Sequence, residues 1–326
     1  MKIVVIGLGS MGKRRIRLIK NFNSGFEVIG VDLNAERCHE AEELFSIETA
    51  PDISGLSDKK VDCAFITTSP ATHAQLIRQC LKFGWHIFTE LNLSDEGYEE
   101  NTSLAKKKNK IIYMSSTMQL RKEIQYIMER VKKEEMPLHY QYHIGQYLPD
   151  WHPWEDYRDF FVGKKETNGC REILAIELPW LTKVFGSIRE IKVIKGKLSQ
   201  LEIDYHDTYS ILLRHESGAI GSLNVNVVAR KAIRNFLVIG ENMHIAWNGT
   251  PGGLAEYDIS NHKDKHINLY EMVVKERGYS DNIIENAYYA EVEEFFAVLA
   301  GEREAAYTLA EDQKILQIID QIEGIV

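Results

Sequence analysis

Short apolar runs alternate with helical patterns through the first third of the chain. Strands are predicted for the β-branched and other apolar runs at residues 3–6, 27–31, 61–67, 86–89 and 111–114. Helices are predicted between them, the first over residues 11–21. The later helices begin at the N-caps Asn34, Ser69 and Ser94. The helix that begins at Ser69 has Pro70 at its first helical position and ends near Gly84. This alternation is typical of a doubly wound parallel sheet covered by helices on both faces, which we assign to residues 1–117.

A different pattern begins at Leu138, where apolar and polar residues alternate one by one. Tyr140, Tyr142 and Ile144 are the first example. Similar runs, separated by polar turns, lie at residues 188–194, 208–214, 219–228, 235–239 and 244–247. They predict a largely antiparallel, open sheet. Helical patterns close the chain at residues 282–299 and 310–322.

The length of 326 residues exceeds what one hydrophobic core usually serves, so two domains are expected. The second, over residues 118–326, is predicted to bind the substrate and to mediate self-association. An open sheet would expose a large patch unless another subunit covered it, so we expect a homodimer or homotetramer. The predicted fold class is therefore α/β, with a parallel sheet domain followed by an α/β domain on an open sheet.

Charge and cysteine content exclude several classes of protein. The net charge of −9 argues against a nucleic-acid partner, and the basic cluster Lys13-Arg14-Arg15 is expected to be solvated or to attract an anionic cofactor. The four cysteines lack the spacing of a zinc site, so no metal is expected, and Cys38 is predicted to lie in the core. Without a signal-peptide pattern or an apolar run long enough for a membrane, a cytoplasmic protein is expected.

A glycine-rich turn follows the first predicted strand and carries most of the functional information. Gly7 allows a tight turn, Gly9 lets the backbone approach a diphosphate, and Gly12 permits close packing of helix on strand. The helix that starts near Ser10 and Met11 would point its N–H groups at the phosphates. Asp32, at the end of the next apolar run, stands where a carboxylate binds the adenosine ribose. The pattern predicts a nicotinamide dinucleotide; the alternative is an ordinary strand-to-helix turn.

The Asp32 carboxylate also bears on the choice of cofactor. The 2′-phosphate of NADP would lie within a few Å of it, and like charges at that range cost about 1 to 4 kcal/mol. NAD is therefore favoured. Arg37 could pair with a 2′-phosphate, so NADP stays an alternative, although this arginine is expected to be a solvated helix residue.

With these parts placed, the chain resembles the Gfo/Idh/MocA family of oxidoreductases over essentially its whole length. Those proteins join an N-terminal Rossmann domain to a C-terminal α/β domain with an open sheet. The matching segments are Gly7-Leu8-Gly9-Ser10-Met11-Gly12, Thr67-Thr68-Ser69-Pro70 with His73, and Gly84-Trp85-His86-Ile87-Phe88-Thr89-Glu90. The resemblance implies that Thr67, Ser69, Pro70 and His73 line the cofactor and that Glu90 lies near the nicotinamide ribose.

Two departures from the family pattern affect the chemistry. The family's Glu-Lys-Pro is Glu90-Leu91-Asn92 here, so the usual lysine is absent. The aspartate and histidine of the family's catalytic helix align with Ile173 and Glu177. A carbinol that loses hydride must still give up its hydroxyl proton, and Glu172 and Glu177 are the candidates for that general acid or base.

Both carboxylates have an alternative role in ion pairs on the helix surface. His143 and His152 are weaker candidates, for which hydrogen bonding at the surface or within the fold is the alternative.

The segment from Tyr140 to Trp180 is rich in aromatic and charged side chains. Aromatic rings pack against the apolar face of a sugar, and cations hold a carboxylate or diphosphate. The substrate-binding candidates are Trp151, Trp154, Arg158 and Arg171. The alternative is that these aromatic residues form a core or a subunit interface.

We therefore predict an NAD(P)-dependent oxidoreductase that transfers a hydride between nicotinamide and a carbinol or carbonyl of a sugar-type substrate, such as a nucleotide sugar or an acidic sugar. One alternative is a cofactor-binding sensor or partner protein of carbohydrate biosynthesis. Another is an enzyme that uses NAD transiently for elimination, epimerisation or hydrolysis.

Overall fold

The computed structural model describes residues 1–152, 155–276 and 280–325. The chain forms two compact units. The first combines Met1–Ser116 with Tyr288–Leu316, and the second combines Thr117–Ala287 with the residues from 317 onward. The last two helices of the chain each contribute to both units.

The first unit contains a six-stranded parallel sheet of order β3-β2-β1-β4-β5-β6. Its strands are β1 (Lys2–Ile6), β2 (Glu27–Val31), β3 (Glu48–Ala50), β4 (Cys63–Ile66), β5 (His86–Thr89) and β6 (Ile112–Met114). Strand β1 lies between β2 and β4, so the strand order reverses there. In open α/β sheets, ligands bind at the carboxyl end of the strands at such a reversal.

Helices cover both faces of this sheet, as predicted. They are α1 (Ser10–Phe22), α2 (Ala35–Phe45), α3 (His73–Phe83), α4 (Tyr98–Lys108) and parts of α7 (Glu285–Leu299) and α8 (Leu309–Glu323). Alternate residues of β1 enter different cores. Val5 belongs to one core with Phe295 of α7, whereas Val4 belongs to the other with Ile77 of α3. Burial on both faces explains why these strands are continuous apolar runs.

Some local predictions need correction. Helix α4 begins at Tyr98 after Gly97, which has φ 72°, and the Ser94 hydroxyl accepts the Glu96 amide instead of capping the helix. Ser69 stands at its predicted cap position, but its side chain makes no cap hydrogen bond there. Cys38 packs against the core, as predicted, but it is only half buried, with its thiol 3.3 Å from the Asp32 carbonyl.

The basic cluster on α1 also departs from its predicted solvation. Arg14 and Arg15 are 4% and 0% exposed, so two of its three cations lie inside the first unit. Arg15 faces two carboxylates there, described with the candidate site below.

The second unit contains an eight-stranded sheet of order β14-β13-β12-β11-β7-β10-β9-β8. Its strands are β7 (His139–Gly145), β8 (Ile188–Gly196), β9 (Thr208–His215), β10 (Ile220–Asn226), β11 (Ile233–Gly240), β12 (Met243–Trp247), β13 (Leu254–Asp258) and β14 (Lys263–His266). Neighbouring strands are antiparallel except β7 and β10, which run parallel. The predicted α/β class with a largely antiparallel second sheet is confirmed. Helix α5 (Lys122–Val131) and strands β13 and β14 were not predicted, and neither was β3 in the first unit.

One face of the second sheet packs on α6 (Gly169–Phe185), whose N-cap Asn168 accepts the Arg171 amide. Tyr140 and Tyr142 of β7 are buried and directed to that face, while Gln141 and His143 alternate with them on the opposite face. The period-2 pattern therefore gave the correct register for β7.

No helix in the described ranges is long and apolar enough to cross a membrane. Nor do His, Cys, Asp and Glu side chains in the same ranges form a group of three suited to a metal.

Candidate functional site

The glycine turn after β1 has the geometry of a diphosphate site. Gly7 has φ 94°, which favours glycine, and a Cβ on Gly12 would lie 1.9 Å from the Gly7 carbonyl oxygen. A Cβ on Gly9, in contrast, would meet no described atom within 4 Å, so open space lies above this residue. Helix α1 starts at Ser10, and no described side chain caps it at Gly9. An anion above Gly9 would face the positive end of this helix dipole beside Met11, so the turn fits the cofactor's diphosphate.

Asp32 follows β2 and is fixed by the backbone around the turn. Its Oδ2 accepts the Leu8 amide at 2.7 Å and its Oδ1 accepts the Asn34 amide at 2.9 Å. The side chain is 10% exposed, and each oxygen keeps a lone pair for a ribose hydroxyl. The Arg37 guanidinium lies 3.8 Å from Oδ2 on a side chain that is 51% exposed, so Arg37 is solvated, as predicted, yet close to Asp32.

Thr67 supports the turn from the neighbouring strand. Its hydroxyl lies 2.7 Å from the Gly7 carbonyl and 3.0 Å from the Ile6 carbonyl, and its side chain is buried. Its hydroxyl therefore serves the backbone of the turn. In the loop that follows, Ser69 is exposed and Pro70 is half buried, so both are accessible where the resemblance puts the cofactor.

Glu90 is held by Arg15 in a buried charge cluster. Arg15 Nε lies 2.5 Å from one Glu90 oxygen, and its Nη2 lies 3.1 Å from the other and 2.6 Å from Glu291. Glu291 also accepts the Ser115 hydroxyl at 2.9 Å. Arg15 and Glu291 are fully buried, whereas Glu90 is 13% exposed. Burial raises the pKa of Glu291, and nearby Arg15 opposes that effect.

His73 lies beneath the loop that precedes α3. Its side chain is 1% exposed, its Nε2 is 2.9 Å from the Thr68 carbonyl and its Nδ1 is 2.5 Å from the Asn92 amide oxygen. The His73 ring is enclosed, so its expected place beside the cofactor stays a prediction in which the ring acts through its contact with the Thr68 carbonyl. Burial lowers the pKa of His73.

Glu177, in the second unit, is surrounded by donors. One carboxylate oxygen accepts the Tyr142 hydroxyl and the Trp180 indole N–H, each at 2.7 Å. The other lies 2.8 Å from the Arg234 guanidinium. Glu177 is 0% exposed and Arg234 is 16% exposed. The alternative of a surface ion pair is therefore wrong for Glu177, because its ion pair is buried.

Glu172, in the first turn of α6, has a different environment. Its Oε2 is buried and has no hydrogen-bond partner among the described residues, although the residue as a whole is only half buried. Burial raises the pKa of Glu172 to about 7. A carboxyl group with such a pKa can give or take a proton at neutral pH.

The predicted substrate residues do not form one cluster. Arg158 is exposed and pairs with Asp156 and Glu202, and Arg171 is buried against Asp320 and Glu323 of α8, so neither guanidinium is aimed at a cleft. Trp154 lies outside the described residues.

Other aromatic and histidine candidates also have local partners. Trp151 is half buried, and its indole N–H lies 3.3 Å from the Gln146 carbonyl. His152 pairs with Glu155 at 2.8 Å and stacks on Phe160.

A groove of about 660 Å³ lies on the sheet of the second unit. His143 faces it and is 3.0 Å from Asn226. Aromatic and aliphatic residues such as Tyr142, Phe236 and Trp247 line it together with polar side chains at alternate strand positions: Gln141, His143, Ser222, Asn224, Asn235, His244 and Asn248. Because Gln141 and His143 alternate with Tyr142, this groove lies on the face opposite to Glu177.

Sequence reasoning missed four residues that organise these sites. Arg15 was assigned to a solvated cluster, and Arg234 and Asp312 were not noticed. Asn92 was noted only as part of a departure from Glu-Lys-Pro. One sequence signal was available, the cationic run of residues 230–234 that contains Arg230 and ends in Arg234.

Among known proteins, a family model matches the first part of this chain. Residues 1–116 match the model of an oxidoreductase family with an NAD-binding Rossmann fold, GFO_IDH_MocA. Over residues 1–116, this match confirms the resemblance and the expectation of a nicotinamide dinucleotide cofactor.

Human biliverdin reductase A is 25% identical over 219 residues, which cover 66% of this chain and 67% of that protein. The mouse protein of the same name is 30% identical over 139 residues, 41% of this chain and 45% of its own length.

Solved structures extend the likeness to the whole fold. The WlbA dehydrogenase of Chromobacterium violaceum, in complex with NADH and UDP-GlcNAcA, has a TM-score of 0.77 at 15% identity and covers 99% of this chain and 92% of its own. Biliverdin reductase of Synechocystis, in complex with biliverdin and NADP+, has a TM-score of 0.76 at 15% identity, covering 98% and 97%. Both units of this chain therefore have the fold of these oxidoreductases.

Proposed function

We propose that this chain, which carries the NAD-binding Rossmann domain of the Gfo/Idh/MocA oxidoreductases, is an enzyme that transfers a hydride between a nicotinamide dinucleotide and a carbinol or carbonyl carbon of a sugar-type substrate. One observation carries the proposal. The glycine turn lies where the strand order reverses, with open space above Gly9, an uncapped helix N-terminus and Asp32 beside it. The nicotinamide supplies or accepts the hydride when bound, and the residues of the chain bind it and move the proton.

NAD is the proposed cofactor form. The Asp32 carboxylate is fixed by two backbone amides, so it cannot turn away from a 2′-phosphate. The resulting repulsion is about 1 to 4 kcal/mol. The Arg37 guanidinium, 3.8 Å from this carboxylate, is its counter-charge and would have to turn to the phosphate for NADP to bind well.

Glu172 is the proposed proton donor or acceptor. Glu177 has three donors around its carboxylate, so protonating it would break contacts to Tyr142, Trp180 or Arg234. Glu172 has a buried oxygen without a described partner and a pKa of about 7, which suits proton exchange at neutral pH. Glu177 then acts as a positioning residue that orients Arg234.

A negatively charged group on the substrate would suit the cationic loop between β10 and β11. Arg230 is exposed and its guanidinium lies 3.6 Å from the centre of the Tyr147 ring, while Lys231 is exposed beside it. The stacked guanidinium presents N–H groups at its edge to a carboxylate or phosphate. This loop favours a sugar acid or nucleotide sugar over a neutral sugar.

A second candidate function is reduction of biliverdin or a similar acidic pigment. The alignment with biliverdin reductase A over 219 residues favours it. The cationic loop suits this substrate class equally well.

One series of experiments tests these proposals. Native mass spectrometry of the purified protein identifies retained NAD or NADP. Absorbance at 340 nm is then followed with UDP-sugars, sugar acids, inositols and biliverdin. Glu172→Gln should lower kcat about 100- to 10,000-fold without changing cofactor affinity, as expected for loss of a general acid or base. Bound cofactor with no turnover on any substrate would favour a sensor, and conversion without net NADH would favour transient oxidation.

We also propose self-association through the open sheet face of the second unit. Ile194 and Leu212 are 80% and 57% exposed there, opposite the buried side chains of β9. Exposed aliphatic side chains on a sheet favour burial by a second subunit. Light scattering should give a dimer or tetramer, and Leu212→Lys should shift it toward the monomer; a monomeric native protein would refute the proposal.

A further inference from the structure

A chain of buried polar groups crosses the first unit from the loop of residues 67–70, called the cofactor loop below, to helix α8. It runs from His73 through the Asn92 amide, the Tyr98 hydroxyl and the Asp312 carboxylate. Asn92 Nδ2 lies 2.8 Å from the Tyr98 hydroxyl, which donates to Asp312 Oδ2, and the Tyr307 hydroxyl lies 2.9 Å from Oδ1. All five side chains are 5% exposed or less, so their hydrogen bonds must balance within the protein.

When Asp312 is ionised, the direction of every hydrogen bond is determined. The carboxylate only accepts, so Tyr98 donates to it and takes the Asn92 N–H on its own oxygen. The Asn92 oxygen then faces His73 Nδ1 and needs a proton there. Since His73 Nε2 must also carry a proton to reach the Thr68 carbonyl at 2.9 Å, His73 is an imidazolium in this arrangement.

When Asp312 is protonated on Oδ2, the three hydrogen bonds between Asp312 and His73 Nδ1 reverse their directions. Asp312 donates to the Tyr98 oxygen, Tyr98 donates to the amide oxygen of Asn92, and the Asn92 amide, rotated by half a turn, donates to a neutral His73 Nδ1. His73 Nε2–H still donates to Thr68. The two arrangements contain the same number of protons and differ only in whether His73 or Asp312 carries the shared one.

When the shared proton is lost, no arrangement satisfies all the hydrogen bonds between Asp312 and Thr68. Neutral His73 with ionised Asp312 has two choices. It can face the Asn92 oxygen at 2.5 Å with an Nδ1 lone pair, which the Thr89 hydroxyl at 3.4 Å compensates only weakly, or it can move its proton from Nε2 to Nδ1. In the second case an imidazole lone pair faces the Thr68 carbonyl, and the contact is lost. Thr68 belongs to the loop of Thr67, Ser69 and Pro70, which the resemblance puts beside the cofactor.

We propose that Asn92 and Asp312 are positioning residues that keep one proton shared between His73 and Asp312 and thereby hold the Thr68 carbonyl, and with it the cofactor loop, in place. The effect on cofactor binding rests on the proposed function, since a fixed loop matters only if a dinucleotide binds there. The shared proton itself does not, because it is a property of the protein without cofactor.

Burial favours the neutral form of both groups. It lowers the pKa of His73 and raises the pKa of Asp312 to about 6. Other charged groups face the pair: Glu90 lies near His73 and Asp95 near Asp312, and both carboxylates favour retention of the proton. The titration belongs to the pair as a whole.

The first test reads the protonation of His73 directly. Protein with ¹⁵N-labelled histidine is titrated from pH 5 to 9 by two-bond ¹H–¹⁵N correlation, with His73→Gln used for assignment. The native ring should lose its Nε2–H form in a one-proton transition. Asp312→Asn, whose amide permanently donates to Tyr98, should keep the neutral Nε2–H form throughout, and Tyr98→Phe should uncouple His73 from Asp312. Identical His73 titrations in all three proteins would overturn the proposal.

The second test measures the consequence for the cofactor. The native Kd for NAD should rise with pH through the same transition, by at most about tenfold per pH unit for one proton. In Asp312→Asn it should vary by less than about twofold over that range. Glu294→Gln is the matched control, because Glu294 is another buried carboxylate that accepts a tyrosine hydroxyl in this unit, and it should keep the native pH profile.

The two tests separate the possible failures. If NAD does not bind at all, the proposed function fails while the His73 titration still decides the shared proton. If Asp312→Asn and the native protein have the same pH profile for NAD, the positioning role is refuted. Circular dichroism of each variant establishes that the fold is retained.

Discussion

Replacing Arg15 by methionine tests the buried charge cluster beside the cofactor loop. Methionine keeps an unbranched apolar stem at this position and removes the guanidinium. Glu291 would then be fully buried without a cation, and Glu90, 13% exposed, would keep partial access to water. The Phe88 ring, whose centre lies 4.5 Å from the guanidinium carbon, would retain an apolar neighbour.

The expected cost follows from this burial. Removing one partner of a buried ion pair destabilises a protein by about 3 to 5 kcal/mol, a large part of a total of about 5 to 15 kcal/mol. Replacing Glu291 by methionine in the same protein should restore most of the loss, because no fully buried charge is then left unpaired.

The stability lost in Arg15→Met should depend on pH, because the charge on Glu291 does. Burial raises the folded-state pKa of Glu291 above its unfolded value, so its contribution to stability is complete below the unfolded pKa and is lost as pH rises through the folded one. Without Arg15, which opposes that shift, the loss extends to higher pH. The difference between the native and Arg15→Met proteins should therefore be smallest near pH 4 and increase by at most about 1.4 kcal/mol per pH unit per carboxylate.

Urea unfolding followed by circular dichroism at several pH values measures these differences, with hydrogen exchange of α1 peptides assigning the transition to the first unit. Arg158→Met is the control, because Arg158 has similar carboxylate partners on an exposed surface and should leave the midpoint unchanged. A loss that is the same at all pH values would mean that packing, not charge, is responsible. A loss below about 1 kcal/mol at pH 7 would refute the argument.

Three further predictions concern the binding residues. Gly9→Ala should keep the native unfolding midpoint and lose NAD affinity, whereas Gly12→Ala should lose stability because its Cβ would lie 1.9 Å from a carbonyl oxygen. Calorimetry measures the affinity, and equal NAD affinity in Gly9→Ala and the native protein would exclude the diphosphate from this position. Asp32→Ala should weaken NAD about 10- to 100-fold and NADP much less, and equal losses would mean that Asp32 does not bind the ribose. Glu177→Gln should lower the free energy of unfolding by about 2 kcal/mol, which is less than the cost for a fully buried pair because Arg234 is 16% exposed. Thermal unfolding of Arg234→Met should show a similar loss of stability.

Five of the six strands of the first sheet could be predicted because their signals are local, whereas the three-residue edge strand β3 was not predicted. Burial on both faces requires a continuous apolar run such as residues 3–6, and the glycine turn follows directly in the chain. Asn34 could be identified as a cap because its carboxamide bonds amides two and three residues later. Asp32 could be located for the same reason, since its strand is one of those runs.

The charged residues could not be predicted because their partners are remote in sequence. Arg15 reaches Glu291, and the run Lys13-Arg14-Arg15 looks like a solvated helix face until that contact is known. Glu177 was identified as a position but not as an ion pair, since Arg234 comes from β11. Amphipathic periodicity identifies a buried face from its apolar residues and therefore misplaces cations that are buried with a partner.

The partners of the buried carboxylates make the strongest physical argument for the proposed chemistry. Glu291 and Glu177 each face a guanidinium, and Asp312 and Glu294 each accept a tyrosine hydroxyl. Glu291, Glu177 and Glu294 are compensated in this way and contribute to the fold without further chemistry, whereas Asp312 shares a proton with His73 in the proposal above. Glu172 differs from them within the described residues, because its buried oxygen has no partner and its pKa is raised to about 7. A protein retains an uncompensated buried acid at a cost in stability, and proton transfer to a substrate would account for that cost.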